Sequence, residues 1–148
     1  MRKRYAIAGI LFLLIVTASW FPAKAADVIS GKVIEVKSAD LVVLDYGRGT
    51  YNVRIVGIDV PREGPIAAQA KQVVTTLVLG MTVRGKFEYR NKNGEMVVRL
   101  FVGPGTDVGV ELLTQGLARR QKNYDYKYRE LSKAEDEARR SRRGVWKQ

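Results

Sequence analysis

Between Val28 and Ile58 the residue pattern admits little besides short β-strands. Val28 to Val36 alternates and is rich in Val and Ile, and Leu41 to Tyr46 is a continuous apolar run. Gly47-Arg48-Gly49 then turns the chain into a third run, Thr50 to Ile58. β-branched residues punctuated by Gly favour strands. The period then changes. Gly64-Pro65 opens a helix whose apolar positions Ala67, Ala70, Val73, Val74, Leu77 and Val78 recur at helical spacing, and Gly80 ends it. Met81 to Tyr89 and Met96 to Val102 flank the turn Asn91-Lys92-Asn93-Gly94 and read as a hairpin. After the break at Gly103-Pro104-Gly105, Thr106 or Asp107 is placed to cap a short helix over Val108 to Gln115, closed by Gly116. A last helix is expected from Tyr128 to Arg142, with Leu131, Ala134 and Ala138 on one face and Trp146 folding back onto the core.

Five strands with a helix after the third suit a small Greek-key barrel of the OB type. The expected class is α+β, a five-stranded OB-type β-barrel with three helices. Neither repeat nor linker divides the chain, so a single domain over residues 26–148 is expected. The residues before it read differently. Arg2-Lys3-Arg4 precede an almost wholly apolar run from Ala6 to Trp20, and Ala23-Lys24-Ala25 supplies an A-x-A cleavage site. This is the pattern of a cleaved secretory signal peptide over residues 1–25. A membrane anchor needs roughly 20 apolar residues, more than this run holds, and no Cys follows it for lipidation. Export to the periplasm or the medium is the expectation, with no stable membrane span after cleavage.

The chain contains neither His nor Cys. That excludes Ser-His-Asp triads, Cys-His dyads, His-ligated zinc and disulfides. Any metal would be held by oxygen. The net charge is +11, and removing the four cations Arg2, Lys3, Arg4 and Lys24 leaves +7 for the exported domain. A basic small domain favours an anionic polymer, nucleic acid or acidic polysaccharide, or lipid headgroups. A solvated basic face with no specific partner accounts for the charge equally well.

Three segments carry a resemblance. A β-rich run bearing Arg54 ends at Asp59, and Val60-Pro61 turns it toward Arg62. The stretch from Val108 to Ala118 reads VGVELLTQGLA, and that from Ala134 to Trp146 reads AEDEARRSRRGVW. Together they resemble the staphylococcal (micrococcal) nuclease, or thermonuclease, family. Its corresponding patterns are R-x-x-x-x-D-[TA]-P-E, V-N-x-x-L-V-x-x-G-L-A and A-E-x-x-A-r-x-x-x-x-G-[LI]-W. The three stand in the right order and cover nearly all of the exported domain.

The resemblance implies a calcium ion, two guanidinium groups around a phosphodiester and a carboxylate near the attacking water. It assigns Arg54 as the first phosphate-binding Arg and Asp59 as a calcium ligand. Val60 would offer the backbone carbonyl that the family takes from Thr. Asp40, in Ser38-Ala39-Asp40-Leu41-Val42, matches the first ligand of the family's D-G-D-T turn, although its neighbours depart from the pattern. Two catalytic positions are replaced: Arg62 stands where the family has its Glu, and Glu95 where it has its second Arg. Glu63, one residue on, is the candidate to replace the lost carboxylate. Loss of one preorganised charge-stabilising group typically lowers rate by roughly 10²–10³, so a weak or absent phosphodiesterase activity is expected.

Asp40, Arg54 and Asp59 then form either a weak calcium or phosphate site or ordinary surface ion pairs. Tyr124, with Tyr126 and Tyr128, lies between basic segments in a region where the family uses aromatics. These rings either stack on nucleic-acid bases or pack the loop onto the last helix. The leading expectation is an exported, monomeric, thermonuclease-like protein with a retained anion- or phosphate-binding surface. An active calcium-dependent nuclease using Glu63 is one alternative. A non-enzymatic envelope accessory protein, for example in exopolysaccharide biosynthesis, is another, implied by the resemblance alone.

Overall fold

The computed structural model describes residues 27–124 and 127–147. The expected signal segment and Tyr126 lie outside the described residues. Strand β1 (Val28–Ser38) is the longest, and it pairs antiparallel with β2 (Leu41–Asp45) on one edge and β5 (Thr82–Arg90) on the other. Its register against β2 shifts between Val33 and Glu35 and again between Val36 and Ser38. Such irregularities bend a strand and increase its twist, which a small barrel requires. Strand β3 (Thr50–Ile55) pairs with β2, and β6 (Met96–Val102) pairs with β5 and with the two-residue β7 (Thr106–Asp107). A parallel pairing of β3 with β6, Val53 opposite Met96 and Arg54 opposite Val97, closes the five-stranded barrel. The expected OB-type α+β architecture is the one observed.

Helix α1 (Pro65–Val78) buries Ala70, Val74 and Val78, three of the positions its spacing singled out. The barrel interior holds Val33, Val42, Leu44, Val53, Val98 and Leu100, continuous with Leu112 and Leu113 of helix α2 (Val108–Thr114). Each fully buried side chain of this kind contributes about 1.5–3 kcal/mol. Asp107 is the residue that caps α2: its carboxylate accepts the backbone N–H of Val110 at 3.0 Å. Helix α3 (Arg129–Arg140) packs on α2 through Leu131, Ala134 and Ala138. No helix among the described residues is long and apolar enough to cross a membrane.

Three expectations need correction. The run from Thr50 to Ile58 is not one strand. Gly57 takes a φ of 80°, and a Cβ there would collide with the Leu131 side chain, so the chain turns and restarts as β4 (Ile58–Asp59). Strand β4 pairs with β8 (Arg119–Arg120), a two-residue ribbon outside the barrel. The last helix is shorter than its periodicity suggested, because Arg142 and Gly144 have φ values of 50° and 51° and end it. Trp146 does not enter the core. It is half-buried, with the guanidinium carbons of Arg119 and Arg139 over its ring at 5.0 and 4.2 Å from the centroid.

The C-terminal segment is fastened by a backbone contact. Val145 N–H donates to the Gly116 carbonyl at 2.8 Å. Gly116 and Gly144 meet so closely that a Cβ on Gly116 would collide with the Arg143 carbonyl, and one on Gly144 with the Gly116 carbonyl.

Candidate active site

Strand order puts the implied residues on one side of the barrel. The β1–β2 turn, the exposed side of β3, the β4–α1 connection and the first turns of α1 line a cleft of about 620 Å³. Asp40, Arg54, Asp59, Val60, Arg62 and Glu63 all lie along it. Six residues spread over 24 positions of sequence are thus brought together. Tyr124 is not among the lining residues. It packs against the hydrophobic core, its ring centroid 6.4 Å from that of Tyr128, and its hydroxyl lies 3.3 Å from that of Tyr89. Tyr128 is buried and donates its hydroxyl to Glu88, which Lys127 also engages. The described tyrosines of this segment therefore pack it against β5.

Asp40 and Arg54 on the cleft wall belong to an ion cluster whose third member, Glu95, is not itself a lining residue. Arg54 Nη1 donates to Asp40 Oδ2 at 2.5 Å, while its Nε and Nη2 donate to the two carboxylate oxygens of Glu95 at 2.7 and 3.1 Å. The register explains the geometry: Arg54 lies opposite Leu41 on β2 and Val97 on β6, each close in sequence to one of the two acids. The other Asp40 oxygen accepts from the Ser38 hydroxyl at 2.6 Å. Glu95 is held from behind by Asn91, whose amide nitrogen donates to it at 2.8 Å. Asn91 in turn accepts the backbone N–H groups of Asn93 and Glu95, an Asx arrangement that fixes the hairpin turn. One guanidinium thus serves two carboxylates, and the trio carries a net charge of −1.

The Arg54 hydrogen bond, outweighing burial and helped by Asn91, holds the Glu95 carboxyl below its ordinary value of 4.5. A depressed folded value means that the stabilisation is present above the ordinary value and is lost as pH falls through the folded one. Glu95→Gln is therefore expected to flatten the loss of thermal stability in the acid range below about 4.5. Melting curves across that range provide the check, and an unchanged acid profile would show that Glu95 carries none of it.

Sequence reading missed two residues of the cleft, Lys37 and Lys71. Lys71 stands one helical turn beyond the lining residues Ala67 and Ala68, a spacing that periodicity alone marks. Lys37 donates to the Asn52 side chain at 3.0 Å. Among the described residues, Asp59, Arg62, Glu63 and Lys71 form no ion pair.

A family model described as staphylococcal nuclease homologue matches residues 52–148, from the middle of β3 to the end of the chain. The chain belongs to the staphylococcal nuclease homologue family. A protein of Escherichia coli O157:H7 described as an uncharacterized endonuclease is 27% identical over 135 residues, which span 90% of this chain and 86% of its own. Asp40 precedes the part that the family model matches.

Staphylococcal nuclease homologues are in general calcium-dependent. Calcium takes six to eight oxygen ligands. In this member both Asp40 oxygens are already engaged, one by Arg54 and one by Ser38. That leaves the Asp59 carboxylate and the Val60 carbonyl at the implied positions, and among the described residues no group of three or more acids is placed to hold a metal ion. A calcium ion held by these donors would share the Asp40 carboxylate with Arg54 and Ser38.

Proposed function

We propose that this staphylococcal nuclease homologue is an exported protein that binds an anionic polymer, nucleic acid foremost, and has weak or no phosphodiesterase activity. The observation that carries this reading is the double capture of Arg54 by Asp40 and Glu95. A clamp for phosphate needs a guanidinium whose donors are free to take it. Here an internal carboxylate occupies the Nε and Nη2 edge in the bidentate manner that a phosphate would use. Arg62 and Lys71 line the cleft without an ion pair among the described residues, as do Asp59 and Glu63, so an anion is drawn by the placing of these two cations and not by an excess of positive charge in the cleft. Export rests on the pattern of residues 1–25.

The second reading is an active nuclease in which Glu63 accepts the proton of the attacking water. It is favoured by the position of Glu63, in the same cleft as Arg54 and without an ion pair among the described residues. Digestion of plasmid and single-stranded DNA at high protein concentration, with calcium or with chelator, separates the two. Salt-sensitive DNA binding with little cleavage is expected. Fast, chelator-sensitive cleavage would establish the nuclease instead. If acidic polysaccharide binds and DNA does not, the nucleic-acid reading falls.

A further inference from the structure

The two basic segments near the C-terminus come together around one ring. Arg119 and Arg139 both lie over the Trp146 indole, well inside the distance of about 6 Å at which a cation is attracted to a ring face. The indole Nε1 is buried and makes no hydrogen bond, so stacking is the interaction that orients the ring. Two like charges are thereby held close together. Cation–π contact uses the flat face of a guanidinium and leaves its in-plane N–H edges available. Arg119 is exposed and has no ion pair among the described residues, while Arg139 shares only Glu135, at 3.4 Å. A planar donor fork with free edges is matched to phosphate oxygens.

One cross-strand pair links this face to the cleft. Arg119 lies directly opposite Asp59 across the β4–β8 ribbon, one strand spacing of about 5 Å from a cleft-lining residue. A polymer leaving the cleft past Asp59 would meet Arg119 next.

We propose that Arg119 and Arg139, oriented by Trp146, form a second phosphate-binding station that holds a nucleic-acid strand emerging from the cleft. This inference rests on nucleic-acid binding by the cleft, and it assigns the strand's path. The test compares a thymidine bisphosphate, which fits the cleft alone, with an oligothymidine of about 12 nucleotides, a length within the range one OB-type site covers. The full chain and the Arg119→Gln/Arg139→Gln variant are titrated with each ligand at several salt concentrations. The double variant is expected to bind the oligonucleotide about tenfold more weakly, with a salt dependence shallower by about 1.4 in log–log slope, as the loss of two single-strand phosphate contacts requires. Its affinity for the bisphosphate should be unchanged.

Arg119→Lys/Arg139→Lys keeps the charge and should retain the slope, with an intermediate affinity; this guards against misreading a folding defect. Unchanged oligonucleotide affinity in the Gln variant, or equal weakening for both ligands, overturns the station. So does a loss confined to acidic polysaccharide binding. Failure of the unaltered chain to bind either nucleotide ligand overturns the function proposed above together with it.

Discussion

Exchanging charge at two positions, Arg62→Glu with Glu95→Arg, is expected to raise hydrolysis of single-stranded DNA by about 10²-fold or more. Glu95 is the group that closes off Arg54, taking two of its donor nitrogens. Its replacement by Arg releases those donors and adds a second guanidinium beside them, so that developing negative charge on a phosphodiester meets two cations. Arg62→Glu returns a proton acceptor to the cleft wall. Neither change alone is enough. Arg62→Glu by itself leaves Arg54 sequestered, and Glu95→Arg by itself leaves no base at position 62. The hairpin should tolerate the exchange, because Asn91 fixes the turn through the backbone N–H groups of Asn93 and Glu95 rather than through the Glu side chain. Cleavage rates of the four combinations, with calcium and with chelator, decide the matter. A folded double variant no faster than the unaltered chain would mean that the two replacements are not what limits this cleft.

The largest loss of stability from a small change is expected at Gly144. Gly144→Ala should destabilise the domain by about 2–4 kcal/mol, since it combines overpacking with a side chain in the left-handed region. In a domain of this size that lowers the melting temperature by about 10 °C or more. The added methyl would meet the Gly116 carbonyl, which already accepts the Val145 N–H. Relief of the collision must therefore unfasten the C-terminal segment that presents Trp146. Gly103→Ala is the control. It also has positive φ, 59°, but an added Cβ there meets nothing within 4 Å, so only the backbone strain remains. Equal melting temperatures for the two variants would refute the close-approach argument.

The barrel was largely readable from the chain because its strands are long enough to show a period. Val28–Ser38 is rich in Val and Ile, and Met96–Val102 is apolar at every position but Arg99. The cap at Asp107 was readable as well, since capping is a local matter. Strands β4 and β8 were not, because two residues cannot display periodicity, and the break at Gly57 sits within an apolar run that reads as continuous. The cleft was legible as a set of positions but not as a set of bonds. Arg54 and Glu95 are 41 residues apart, and their pairing follows from the parallel register of β3 and β6, which nothing in either segment announces. Taken singly, Glu95 is a group that would repel phosphate; in place, it occupies the Arg54 donors that the proposed function would give to a phosphate.

The Arg54–Glu95 pair lies across the barrel's closing pairing. Arg54 belongs to β3, and Glu95 leads directly into β6, the two strands whose parallel contact completes the cylinder. Asp40, on the third side, precedes β2. The cluster is thus a clasp as well as a lock. A phosphate that took Arg54 would have to displace a side-chain ion pair that spans the backbone pairing of β3 with β6, and its apparent affinity would be lowered by the fraction in which Arg54 is released. Under the proposed function, an internal ion pair and a ligand would compete for a single guanidinium.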